Sequence, residues 1–168
     1  TQRTGDLSQL FTDAVCIREK FSELVVTMSA EFAGDTMPID VKMEADHPKQ
    51  ATLKKTSRMV EKFALLRTRP AKLSMCDVVR AMFIAHSMEQ LSRLVEVFIN
   101  LAKVGDISIV QVKDRWSQPA PSGWRDSLIH LVLAEDATRH ACEVQLCHSL
   151  LFTAGQGVGA MRVSNAQS

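Results

Sequence analysis

From Leu7 to about Phe32 the apolar residues Leu10, Phe11, Ala14, Ile17, Phe21, Leu24, Val25 and Met28 recur at steps of three and four. That spacing predicts one long amphipathic helix, closed by Gly34. Met37 to Glu44 alternates in part, through Ile39, Val41 and Met43, and reads as a strand. A second helix is expected from about Gln50 to Arg67, with Leu53, Val60, Phe63 and Leu66 on one side, ending before Pro70. Cys76 to Ala85 is a short, mostly apolar run of strand length, expected to be covered on both faces. Ser87 can cap a helix from Met88 to Lys103, which Gly105 would stop. Ile107 to Val112 reads as another strand, and WSQPAPSG, with two prolines and a glycine, as a loop. Ser127–Leu133 and His140–Cys147 flank the polar AEDATR turn and should form a hairpin. From Ser149 the chain reads as a helix decaying into a Gly/Ala/Ser tail from about residue 155.

Helix, strand, helix, strand, helix and then three strands give an α+β domain: a mixed sheet of roughly five strands flanked by helices. All 168 residues read as one domain with its core at about 50–150, since neither a repeat nor an interdomain linker appears. A chain that begins without Met and ends in a polar tail is also consistent with a piece of a larger protein with flanking domains.

Composition narrows the function classes. Apolar residues make up 46% and charged residues 23%, the balance of an ordinary soluble protein. No apolar run reaches the ~20 residues a membrane helix needs, and no signal peptide opens the chain. The net charge of +1 argues against nucleic acid as a partner, so any anion site must come from local clustering. Cys16, Cys76, Cys142 and Cys147 form no C-x-x-C pair; a reduced, cytoplasmic chain is expected. His130, His140, Cys142, Cys147 and His148 cluster in sequence, but their spacing matches no structural zinc site.

Three features could carry chemistry. Lys54, Arg58 and Lys62 recur every four residues and would form one stripe on the second helix, able to grip a polyphosphate. The same spacing describes an ordinary solvated helix face. Asp77 and Glu143 each stand in an apolar strand, where a carboxylate is costly unless it has a partner or binds a metal. Two such acids could supply oxygen ligands to Mg²⁺, with phosphates and water completing the shell; each could equally pair with a lysine or arginine. The loop from Lys113 to Asp126 joins Lys113, Arg115 and Arg125 to Trp116 and Trp124. Trp124, next to Gly123, could present its face to a base, whereas Trp116 reads more simply as a cap on the core.

The string KDRWSQPAPSGWRDSLIH resembles a segment of the RelA/SpoT-type alarmone synthetases, with Lys113, Asp114, Pro119, Gly123 and an aromatic at Trp124 in register. EVQLCHS is similar to that family's Glu-Ile-Gln-Ile-Arg-Thr at Glu143 and Gln145, and DVVRAMFIAHSMEQL to its Asp-Ile-x-Gly-x-Arg-Val strand and following helix. Lys54 and Lys62 match its basic helix, so the likeness spans roughly Lys54 to Leu150. A divergent branch with Gly-aromatic-Arg-Asp and Glu-Val-Gln-Leu is closer than the bacterial enzymes.

The resemblance implies a nucleotidyltransferase (polymerase beta-like) fold and a pyrophosphokinase. Asp77 and Glu143 would hold Mg²⁺ as catalytic and metal-binding residues, and pyrophosphate would pass from ATP to the 3′-hydroxyl of GDP, GTP or a related acceptor. Lys54, Arg58, Lys62, Lys113, Arg115, Arg125 and Gln145 would bind nucleotide, and Trp124 would stack on the acceptor base. The chain departs from the pattern where Arg80-Ala81-Met82 replaces Gly-x-Arg, where Cys147 replaces the arginine after Glu-x-Gln-x, and where Ala120 replaces a lysine. Those losses leave a second class open: an inactive domain serving as nucleotide sensor or protein-interaction module.

Overall fold

The computed structural model describes residues 7–44, 50–66 and 77–155, with backbone only for 62–66. The first helix, α1 (Leu7–Ala30), buries Leu10, Ala14, Ile17, Phe21, Val25 and Met28, the stripe that the spacing predicts. It ends through tight turns at Glu31, Phe32 and Ala33 rather than on Gly34, whose φ is not positive. Those turns satisfy the last carbonyls without a left-handed residue.

Among the described residues six strands form one mixed sheet: β1 (Asp40–Lys42), β2 (Thr52–Leu53), β3 (Val79–Ala85), β4 (Ile107–Asp114), β5 (Ser127–Leu133) and β6 (Cys142–His148). Their order is β1-β3-β6-β5-β4, with β2 also pairing β3. β3 and β6 run parallel; every other pairing is antiparallel. The remaining helices among the described residues are α2 (Thr56–Leu66), α3 (Met88–Val104) and a short helix over residues 149–155.

Thr52–Leu53 corrects the expected helix from Gln50. The segment is drawn into the sheet: Thr52 and Leu53 pair with Arg80 and Val79, and the Lys54 N–H donates to the Val78 carbonyl. α2 therefore starts at Thr56, and Lys54 lies outside it. Among the described side chains of α2 Met59 is buried, whereas Val60 is 51% exposed. α3 follows its local signals: the Ser87 hydroxyl accepts from the Gln90 N–H, and Gly105 closes the helix at φ 90° with its N–H on the Leu101 carbonyl.

One sheet face is the core. Val79, Ala81, Phe83, Ala85, Cys142, Val144, Leu146, Ile129 and Leu131 are buried in one cluster with α1, α3 and Met59. Burying each large side chain of this kind stabilises the fold by ~1.5–3 kcal/mol. Trp116 packs against that cluster as the sequence suggests. Alternation sends Arg80, Met82, Glu143 and Gln145 to the opposite face, where they are exposed or half-buried. Among the described residues no helix is long and apolar enough to cross a membrane.

Candidate functional site

On the face away from the core, strand register lines up two rows of side chains, the first of them polar throughout. Thr52, Arg80, Glu143, His130 and Gln111 stand side by side on β2, β3, β6, β5 and β4. Two residues further along, Lys42, Met82, Gln145, Leu128 and Lys113 form the next row on β1, β3, β6, β5 and β4. A pocket of about 270 Å³ opens over β1, β2, β3 and β6, lined by residues including Lys42, Thr52, Arg80, Met82, Glu143 and Gln145.

The two acids lie at the same end of neighbouring parallel strands. Asp77 precedes β3, and Glu143 pairs with Arg80, three residues downstream of Asp77. Each carboxylate already has a basic neighbour. Lys54 Nζ is 2.6 Å from Asp77 Oδ2, with the side chains only 15% and 17% exposed. Glu143 Oε2 is 3.0 Å from His130 Nε2, and the other ring nitrogen of His130 is 3.2 Å from Gln111 Oε1. His130 is 3% exposed, so this is a buried, hydrogen-bonded pair rather than a surface contact. Among the described residues no group of three or more His, Cys, Asp and Glu could hold a metal. Two carboxylates alone fit a hard cation such as Mg²⁺ that takes the rest of its shell from phosphates and water, not a self-sufficient metal centre.

The cation stripe is not assembled as the spacing suggests. Lys54 is committed to Asp77. Arg58, on α2, is exposed and pairs with Glu61 one turn on at 2.9 Å. The Lys62 side chain lies outside the described residues.

The loop after β4 turns its polar groups inward. Asp126 is fully buried, at 0% exposure, yet three side chains converge on it. Arg115 Nη1 approaches Oδ1 at 3.3 Å, Trp124 Nε1 donates to Oδ2 at 2.8 Å, and Gln145 Nε2 donates to the same oxygen. Arg125 donates to the Trp116 carbonyl. Arg115, Trp124, Arg125 and Gln145, all candidates for nucleotide contact, are thus engaged in the loop's own structure, with Gln145 tying it to β6. Lys113 alone of the loop's cations has no such contact and stands on the open face at the β4 edge. Gly155 abuts the Trp124 benzo ring so closely that a Cβ there would collide with it. The helix over residues 149–155 therefore covers part of the indole that the sequence offers to a base.

Asp126 and His130 are the site residues sequence reasoning missed. His130 and Asp126 take partners from other strands, Glu143 and Gln111 for the one and Gln145 for the other, and the only signal was an acid and a histidine beside and within an apolar strand.

Comparison with solved structures decides the fold. The first of three similar structures is small alarmone synthetase 2 from Bacillus subtilis, with a TM-score of 0.65 at 16% identity over 96% of this chain and 82% of that one. The chain has the fold of the small alarmone synthetases. Small alarmone synthetase 1 from Bacillus subtilis, solved with its product pppGpp, gives a TM-score of 0.67 at 10% identity, covering 95% of this chain and 80% of the other. A GTP pyrophosphokinase family protein from Streptococcus pneumoniae gives 0.67 at 14%, covering 96% and 79%. No protein-family model matches the sequence, and no curated protein matches it by sequence. The alarmone-synthetase fold is thus carried by backbone architecture, with about one residue in six to ten identical.

Proposed function

We propose that the chain binds a nucleoside polyphosphate on the open face of its sheet, and that its reaction is pyrophosphate transfer from ATP to the 3′-hydroxyl of GDP, GTP or a related acceptor. The observation that carries this reading is the parallel pairing of β3 with β6, which sets Asp77 and Glu143 at the same end of adjacent strands. These two acids would hold Mg²⁺, which when bound would stabilise charge on the transferred group. Lys54, released from Asp77, would turn its ammonium to the phosphates. Gln145 and Trp124, fixed by Asp126, would form one wall, with Lys113 at the far edge. No nucleophilic side chain is needed, because phosphoryl transfer of this kind rests on positioning and charge.

A second reading, a nucleotide sensor without turnover, is favoured by a specific observation. Both acids are engaged by bases, and Met82 and Cys147 stand where the resemblance places arginines. Incubation with labelled ATP, GDP and Mg²⁺ separates the two. Formation of a 3′-pyrophosphorylated guanine nucleotide, lost in Asp77→Asn and in Glu143→Gln, supports transfer. Saturable ATP binding without product supports the sensor, and absence of both binding and product removes both readings.

A further inference from the structure

The open-face pocket holds charge that nothing described in the structure balances. Lys42 on β1 and Arg80 on β3 both line it and both are exposed. Glu143 is Arg80's neighbour in register, but it turns to His130 on the other side, at 3.0 Å. Arg80 is left without an ion pair or hydrogen bond to any described residue, and so is Lys42. Lys42 pairs in register with Met82, and Arg80 lies two residues before Met82 on the same strand face. The two cations therefore flank Met82 diagonally, roughly 7–8 Å apart at the backbone. Their side chains are long enough to close on one ligand from two sides.

Single unpaired cations are ordinary on a protein surface. This pair differs because it shares one concavity of about 270 Å³, with the Thr52 hydroxyl and the Gln145 amide among its other polar groups. Two cations face one carboxylate there, and that carboxylate is already hydrogen-bonded. A concave, low-dielectric wall focuses such a field on whatever enters. The chemistry that matches one guanidinium and one ammonium group around an apolar floor is a di- or triphosphate chain, whose oxygens accept from both.

We infer that Lys42 and Arg80 form an anion subsite of this pocket that takes the polyphosphate chain of its ligand. The subsite deepens the nucleotide-binding reading and rests on it for the ligand, but not for the anion. It also places a cation directly beside Met82, one strand away from where the resemblance puts an arginine. Charge absent from position 82 is supplied at 42 by cross-strand register, a displacement no linear motif reveals.

The test is calorimetric titration of wild type, Lys42→Met, Arg80→Gln and the double variant with inorganic tripolyphosphate and, separately, with ATP. Each single substitution is expected to weaken tripolyphosphate binding by roughly tenfold, and the double variant by more. Weakening should fall away as salt rises, because the contacts are solvent-accessible. Both side chains are exposed, so thermal unfolding should be unchanged; Arg80→Lys, which keeps the charge, should retain part of the affinity. If wild type binds ATP and the substitutions leave both affinities intact, the subsite is overturned while the nucleotide reading stands. If tripolyphosphate binds and is lost in the variants but ATP never binds, the subsite stands and the nucleotide reading fails. Wild type that binds neither ligand overturns both.

Discussion

His130 Nε2 lies 3.0 Å from Glu143 Oε2 across the β5–β6 ladder, with the histidine 3% exposed. This contact gives the strand acid a hydrogen-bond partner, and it turns Glu143 away from Arg80. His130→Ala should remove that partner and open a cavity at once, destabilising the domain by about 2–4 kcal/mol. Glu143→Gln keeps an oxygen for the imidazole and should cost nearer 1 kcal/mol. Urea unfolding of the two variants checks the contrast; equal losses would mean the pair does not stabilise the fold.

Asp126 gathers Arg115, Trp124 and Gln145 around one buried carboxylate. Asp126→Ala should cost about 2–4 kcal/mol, because it strands two neutral donors and leaves Arg115 only partial access to water. In a Trp116→Phe background Trp124 is the sole indole, and Asp126→Ala should shift its emission to the red as the ring loosens. Emission that stays put would show that the carboxylate does not hold the ring.

Among the described residues β4 is one edge strand of the sheet, and Val110 and Val112 are 54% and 56% exposed on it. An exposed edge with β-branched side chains invites pairing with another chain, although the register shift between Ile109 and Gln111 interrupts the ladder. Val112→Lys should reduce concentration-dependent light scattering while changing stability by less than about 0.5 kcal/mol. Scattering that does not fall would locate association elsewhere.

Burial pushes the His140 imidazole below its ordinary 6.5, against the opposing pull of Asp136 and Asp13. The unfolded chain therefore takes up this proton at higher pH than the folded one. Stability should be full above about pH 6.5 and fall as pH drops below it. His140→Leu should flatten that slope in urea titrations between roughly pH 5 and 8. An unchanged slope would assign the acid sensitivity to other groups.

How much of this was legible in the sequence depends on whether the determinant is local. α3 could be read to within a residue, because Ser87 and Gly105 act on backbone groups within four residues of themselves. The start of the final helix at Ser149 is local in the same way: the Leu150 N–H donates to His148 Nδ1, two residues back, at 3.2 Å. β2 could not be read, since two residues become a strand only through Arg80 and Val79, far along the chain. That pairing also removed Lys54 from the helix and broke the apparent stripe with Arg58. Asp77 and Glu143 stood out as acids in apolar strands, but their partners did not. Lys54 is 23 residues from Asp77, and His130 is 13 from Glu143. Lys42 carries no local signal, because its place in the pocket is set by the strand beside it.

Nucleotide binding at the open face is tested most directly by titrating ATP with Mg²⁺ into the wild-type chain and into Glu143→Gln by calorimetry. Saturable one-to-one binding is expected for the wild type, weakened roughly tenfold or more in the variant, whose fold should survive. No saturable heat from the folded wild-type chain, or equal affinity in the two proteins, would contradict a nucleotide site built around Glu143.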